Sequence, residues 1–236
     1  LPLVPYWNLR DMNLSPDFKT SMDTFTKYYK ETKSPVFDGI IAVDTKLAVD
    51  ILEVIGPIGV PGFGNFSAEN DVRCSCPVVI YELESYADVA GPIVWADDLG
   101  GKIVFKPANI DNRKAILGPL MNSLLSNAMG QPKEKIPALF QAGFKALMEK
   151  HVLFYFDGKD AQSAMESFNL AGRVKEFDGD YLHINDTNFA GAKSNLYIEQ
   201  EVNLKVEPLK DGNLNTLTIK YKNPQKHDGW LKGPYR

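Results

Sequence analysis

The hydrophobic pattern of this chain changes period after about residue 180, and that change limits the folds open to it. The stretches "LYIEQEVNLKV" and "LNTLTIKY" alternate apolar and polar residues and flank "KDGN", an Asp-Gly hairpin signal. Before that point apolar residues recur every three or four positions, the repeat of amphipathic helices. The sequence therefore predicts an α/β body over residues 1–178. A β-hairpin-rich, antiparallel extension of the same domain follows over residues 179–236. At 236 residues the chain is long enough for a sizeable core.

Within the body, "SPDF" predicts a helix start, with Ser15 as N-cap, Pro16 in the first helical position and Asp17 complementing the dipole. Phe18, Met22, Phe25 and Tyr29 then form one face, and the helix is expected to end near Lys33. "VFDGIIAV" suits a buried strand over 36–43. Asp44 is placed to cap a short helix with Leu47, Ile51, Leu52 and Ile55 inward, Gly56 to end it, and "PIGV" to form a strand. Strand, helix and strand together predict a βαβ-like unit. "PVVIYEL" and "KIVF" read as strands with "ADDLGGK" as a turn between them. "NRKAILGPLMNSLLSNAM" predicts a helix that Pro119 breaks or kinks. "KIPALFQAGFKALMEK" predicts a helix whose Ile136, Leu139, Phe140, Phe144, Leu147 and Met148 trace one stripe. "HVLFYF" predicts a buried strand and "DAQSAMESF" a short helix.

A formal charge of −4 gives no whole-molecule attraction to nucleic acid or to an anionic membrane. No window reaches the roughly 18 apolar residues of a membrane span. Cys74 and Cys76 stand at i and i+2. On an extended strand they point to opposite faces, which argues against a mutual disulfide. The three histidines are scattered, which argues against a metal site with these thiols. No nucleophile elbow, phosphate loop, dinucleotide fingerprint or zinc motif is present. Trp7, Trp95 and Trp230 have no spacing that supports a carbohydrate-binding module. The chain begins at Leu1 and stops at "GPYR" without a terminator, so a processed form or a piece of a longer protein is expected.

Candidate site residues are few. Arg10-Asp11 precedes a helix: arginine offers a planar fork for phosphate, and the adjacent carboxylate can orient it or hold a divalent cation. Arg113-Lys114 is a second basic pair at an expected helix start, where the dipole does not favour cations. Lys193, in "NFAGAKSN", stands in a small-residue loop and suits a ligand contact or an ordinary loop position.

Read in order, "LRDMNLSPDF", "FDGIIAVDTKLAVDILEVIGPIGVPG", "NFAGAKSNLYIEQEVNLKV", "TLTIKYKN" and "GWLKGPYR" resemble an uncharacterised bacterial family, domain of unknown function 4012. That resemblance implies an extracytoplasmic or cell-surface protein, membrane-anchored in its full-length form through segments absent here. A fainter likeness, in the order Arg-Asp turn, helix, strand–helix–Gly–strand, arginine-led helix, is to the LytR-CpsA-Psr cell-wall glycopolymer ligases. It implies a three-layer α/β/α sandwich that binds, and transfers, polyprenyl-pyrophosphate-linked glycan. Arg10 and Arg113 would contact the pyrophosphate. Asp11 would orient Arg10, assist Mg2+ or activate the acceptor hydroxyl, and Arg73, Lys102 and Lys106 would be loose basic stand-ins. The rival expectation is a non-catalytic surface or scaffold domain that recruits a protein partner at its C-terminal hairpin.

Overall fold

The computed structural model describes residues 9–88, 94–96, 102–105, 112, 114–186 and 194–224. A 3-10 turn, Leu9–Asp11, leads to α1, Phe18–Tyr29, then β1, Gly39–Val43, and α2, Thr45–Ile55. Next come β2 Ile58–Val60, β3 Gly64–Phe66, β4 Asn70–Asp71, β5 Cys76–Pro77 and α3 Val78–Asp88. After β6, Val94–Ala96, and β7, Lys102–Phe105, the chain forms α4, Leu117–Met129, and α5, Ile136–Met148. β8, Val152–Phe156, α6, Lys159–Ser167, β9, Glu199–Leu209, and β10, Gly212–Lys222, complete the order.

The described residues thus make a mixed α/β fold with six helices and five antiparallel two-stranded pairs. They form no three-layer sandwich. β1 pairs with β8, Gly39 opposite Phe156 and Val43 opposite Val152, while β2 turns back on β3. The expected βαβ-like unit is therefore two separate antiparallel pairs bridged by α2. The turn at Gly62 explains it: positive φ there and at Gly64 lets the chain reverse at once onto β2.

Local signals explain most of the elements, with corrections. Asp17, not Ser15, caps α1, accepting from the Thr20 amide at 2.9 Å, so the helix begins at Phe18. An ionised acceptor outcompetes the hydroxyl. Ser15 instead accepts from the Asp17 amide at 3.1 Å. Asp44 caps α2 as expected, and Gly56, at φ 88°, ends it. Pro119 sits in the first turn of α4, where a missing N–H leaves no bond unmade, so α4 starts at Leu117 with the proline inside it. "PVVIYEL" is helix α3, not a strand. Val79, Leu83 and Tyr86 lie one helical repeat apart and face the core, which overrides their β propensity.

Two apolar clusters hold the body. The larger joins Val49, Leu52 and Ile55 of α2 to β2, Phe66, Val79 and the inner side of α4. The smaller joins Phe18 and Met22 of α1 to Tyr155 of β8, with Phe25, Ile40 and Leu153 packed around them. β1 is half-exposed rather than buried, with Ile41 and Val43 in solvent.

Cys74 and Cys76 form a disulfide, contrary to the expectation from an extended strand. The premise fails at Ser75, whose φ of 55° reverses the chain and brings the two Cα atoms to 5.1 Å. Both cysteines are buried. So short a closed loop constrains the unfolded chain little, and C74S/C76S is expected to lose only about 1–2 kcal/mol. Urea titration of the double variant checks this, and thiol titration of the untreated native protein should find no free cysteine.

The chain divides into two compact units, one through Tyr181 and one from Leu182. In the second, β9 and β10 pair over their whole length, Leu209 opposite Gly212 and Lys222 opposite Glu199. The turn residues are Lys210-Asp211, and Gly212 takes the positive φ after them. Val202, Leu204, Val206 and Leu217 share one face of the ribbon and are exposed. Glu201–Lys220 and Glu199–Lys222 pair across the other.

Candidate functional site: an apolar groove beside the Arg-Asp turn

The periodicity of α1 aims Met22, Phe25 and Tyr29 at β1, and between them lies a groove of about 460 Å³. Phe37, Gly39 and Ile40 form its opposite wall, and Leu9 and Asn13 its end. Aromatic contacts set the wall: Phe25 and Tyr29 stack at 5.5 Å, and Tyr29 meets Phe37 at 5.0 Å. The Tyr29 hydroxyl donates to the Pro35 carbonyl at 3.1 Å, fixing the approach to Phe37. Gly39 is required for space, because a Cβ there would stand 2.5 Å from the Phe156 ring. The result is an almost wholly apolar trough whose volume falls within the range of small-molecule sites.

The 3-10 turn puts chemistry at the end of this trough. Leu9 lines it, Asp11 in the same turn is exposed, and Met12 is buried and anchors the turn from behind. Arg10 belongs to the turn and is described through its backbone alone. Lys114 is exposed just before α4, whose inner side packs on the larger cluster, and it is not among the groove's lining residues. Arg113 and Lys193 lie outside the described residues, as do Trp7, Trp230 and Lys106. The structure therefore joins the Arg10-Asp11 turn to an apolar groove.

The first turn of α1 is held by a clamp that sequence reading did not find. The Asp17 carboxylate accepts from Arg173 Nε at 2.8 Å and from the Val174 amide at 3.0 Å, besides the Thr20 amide. Arg173 also donates to Glu166 at 3.0 Å, and Gln162 to Glu166 at 2.9 Å. Burial raises the Asp17 pKa, but Arg173 and the amide donors outweigh it and hold the carboxyl below its ordinary value. Nothing in the sequence pairs residues 156 positions apart, and a lone arginine in "AGRV" carries no signal.

Other charged groups are structurally committed. Arg73, a basic stand-in by sequence, donates to Asp71 at 2.9 Å and to Glu82 at 2.8 Å, and lies 3.7 Å over the Tyr81 ring. It is thereby unavailable as a loose phosphate contact. His151 Nδ1 lies 2.7 Å from Asp44, tying the start of α2 to the segment before β8. Among the described residues no three His, Cys, Asp or Glu side chains are placed to hold a metal ion. None of the described helices is long and apolar enough to cross a membrane.

Residues 3–75 match the model of the family described as "Protein of unknown function (DUF4012)". This stretch is similar to that family. The match contains the Arg-Asp turn and every lining residue of the groove. No curated protein and no solved structure matches the chain. The comparisons lend no support to the LytR-CpsA-Psr resemblance.

Proposed function

We propose that this chain is an extracytoplasmic envelope protein that binds a lipid-linked pyrophosphate glycan intermediate and transfers the glycan. The observation that carries the reading is the juxtaposition of an apolar groove with the turn bearing Arg10 and Asp11. The isoprenoid chain would lie along Met22, Phe25 and Ile40, placing the pyrophosphate at the turn. Arg10 would neutralise it, and Arg113 and Lys114 would add positive charge. Asp11 would take the acceptor hydroxyl's proton as its oxygen attacks the glycan-bearing phosphorus and the lipid phosphate leaves. Mg2+ arriving with the pyrophosphate would supply further charge neutralisation beside Arg10. The Cys74–Cys76 disulfide suits an oxidising compartment and so supports an extracytoplasmic location.

Calorimetric titration with farnesyl pyrophosphate tests the reading. Wild type should bind it, and inorganic pyrophosphate or farnesol should each bind at least about tenfold more weakly, the cost of about 1.4 kcal/mol of lost contact. Asn13→Trp, which fills the groove from its rim, should lose a similar factor while keeping its far-UV circular dichroism. Equal binding by wild type and Asn13→Trp would sink the assignment.

The hairpin favours a second reading, a scaffold domain. The outer edges of β9 and β10 carry no further strand among the described residues, and the apolar face of the ribbon is exposed. A partner strand would satisfy both. This reading gains if farnesyl pyrophosphate gives no heat.

A further inference from the structure

The apolar groove shares two of its walls with a second cavity. Tyr29 and Phe37 line both, and the second, of about 140 Å³, is otherwise made by the segment between α1 and β1, Ser34, Pro35 and Val36 among its residues. The two rings meet at 5.0 Å, and their contact divides the two spaces. It stands at the end of the groove remote from the Arg-Asp turn. The Ser21 hydroxyl accepts from the Ser15 amide at 3.0 Å, which keeps the turn's segment beside the first half of α1. Tyr29 closes the helix eight residues later, about 12 Å farther along its axis. The contact is held from the loop side, where the Tyr29 hydroxyl donates to the Pro35 carbonyl and the Thr32 hydroxyl to the Tyr29 carbonyl at 2.7 Å. Tyr29 and Phe37 belong to neither of the two apolar clusters, so the packing that holds the body does not account for them.

We infer that the Tyr29–Phe37 contact is an end wall that sets how much of an isoprenoid the groove holds. The inference rests on the function proposed above and adds a length limit to it. Volume carries the argument. At the ~30 Å³ that a water-sized group takes in a liquid, a groove of about 460 Å³ holds about fifteen carbons, the farnesyl length. By the same measure the cavity of about 140 Å³ behind the wall holds about five carbons, one further isoprene unit. Pro35, Val36 and the two rings give that cavity apolar walls. A longer carrier therefore buries the units nearest its pyrophosphate and leaves the trough with the rest. Removing the Phe37 ring joins the two spaces and moves the limit from about fifteen carbons to about twenty.

Calorimetric titration of the full chain with geranyl, farnesyl and geranylgeranyl pyrophosphate tests the limit. Wild type should bind the farnesyl compound at least about tenfold more tightly than the geranyl one, because the added unit buries apolar surface. It should gain no more than about twofold from farnesyl to geranylgeranyl, whose last unit meets the wall. Phe37→Ala should move the step, binding the geranylgeranyl compound at least about tenfold more tightly than the farnesyl one. Ser34→Trp, added to Phe37→Ala, refills the second cavity and should restore the wild-type order. A wild type that gains tenfold from farnesyl to geranylgeranyl overturns the inference. So does a Phe37→Ala variant that keeps the wild-type order, or one that binds all three compounds more weakly by the same factor, the mark of a merely structural role. Binding of none of the three by wild type would overturn the proposed function itself and the inference with it, so the two failures are told apart.

Discussion

Phe66→Ala is expected to cost about 3–5 kcal/mol of folding stability, the largest loss of any single substitution argued from this structure. Phe66 ends β3 with no exposed surface and sits within the larger cluster among α2, β2, α3 and α4. Among the described residues the only sheet at this point is the short β2–β3 pair, so the three helices are joined there through side-chain packing. Removing the ring forfeits its transfer energy and opens a cavity that its neighbours can close only by shifting from their packed positions. Urea unfolding followed by circular dichroism reads the loss as a lower midpoint at unchanged slope. Val36→Ala, at a residue 93% exposed, is the control and should stay within about 0.5 kcal/mol. A Phe66→Ala cost below about 1 kcal/mol would mean that the cluster repacks freely and is not the body's anchor.

Asp17→Ala should cost about 2–4 kcal/mol and remove a pH dependence. Loss of the cap alone is worth about 0.5–2 kcal/mol. The rest comes from Arg173 Nε and the Val174 amide, which lose their acceptor in a nearly buried place. The folded-state pKa of Asp17 lies below the ordinary value of 3.8. Its contribution is thus fully present above about 3.8 and is lost as pH falls through the lower folded value. Glu166, lowered chiefly by Gln162 and by Arg173 against the opposing effect of burial, acts in the same sense. Wild type should therefore lose stability steeply below about pH 4, whereas Asp17→Asn should start lower and fall less. Parallel wild-type and Asp17→Asn curves between pH 2 and pH 5 would show that the clamp is not ionic.

Legibility in the sequence followed the range of the interaction. The hairpin, α2 with its Asp44 cap and Gly56 stop, and the existence of α4, α5 and α6 rest on contacts within a few residues, and their periods announce them. α3 was hidden because "PVVIY" carries strong β propensity, and only its place against Phe66 makes the helix better. The pairing of β1 with β8 spans more than a hundred residues, so "VFDGIIAV" looks like the first half of a parallel unit. For the candidate site, the helical face Met22, Phe25 and Tyr29 was readable, and so was the Arg-Asp turn. The far wall was not: Phe37 and Gly39 matter through Tyr29 and Phe156, which neither residue's local sequence reveals. The single stripe expected along α5 is divided in the structure, Ala142 and Ala146 buried and Phe140, Phe144 and Met148 exposed, and that division likewise depends on which neighbour the helix meets.

The most direct measurement is photo-crosslinking of the full chain with an isoprenoid pyrophosphate bearing a diazirine on its apolar end, mapped by mass spectrometry. The proposed function predicts saturable labelling of the Met22–Tyr29 face and of the Phe37–Ile40 wall. Excess farnesyl pyrophosphate should abolish it, and inorganic pyrophosphate should not. Labelling confined to the β9–β10 ribbon or to helices α4 and α5, or labelling that farnesyl pyrophosphate fails to displace, would contradict it.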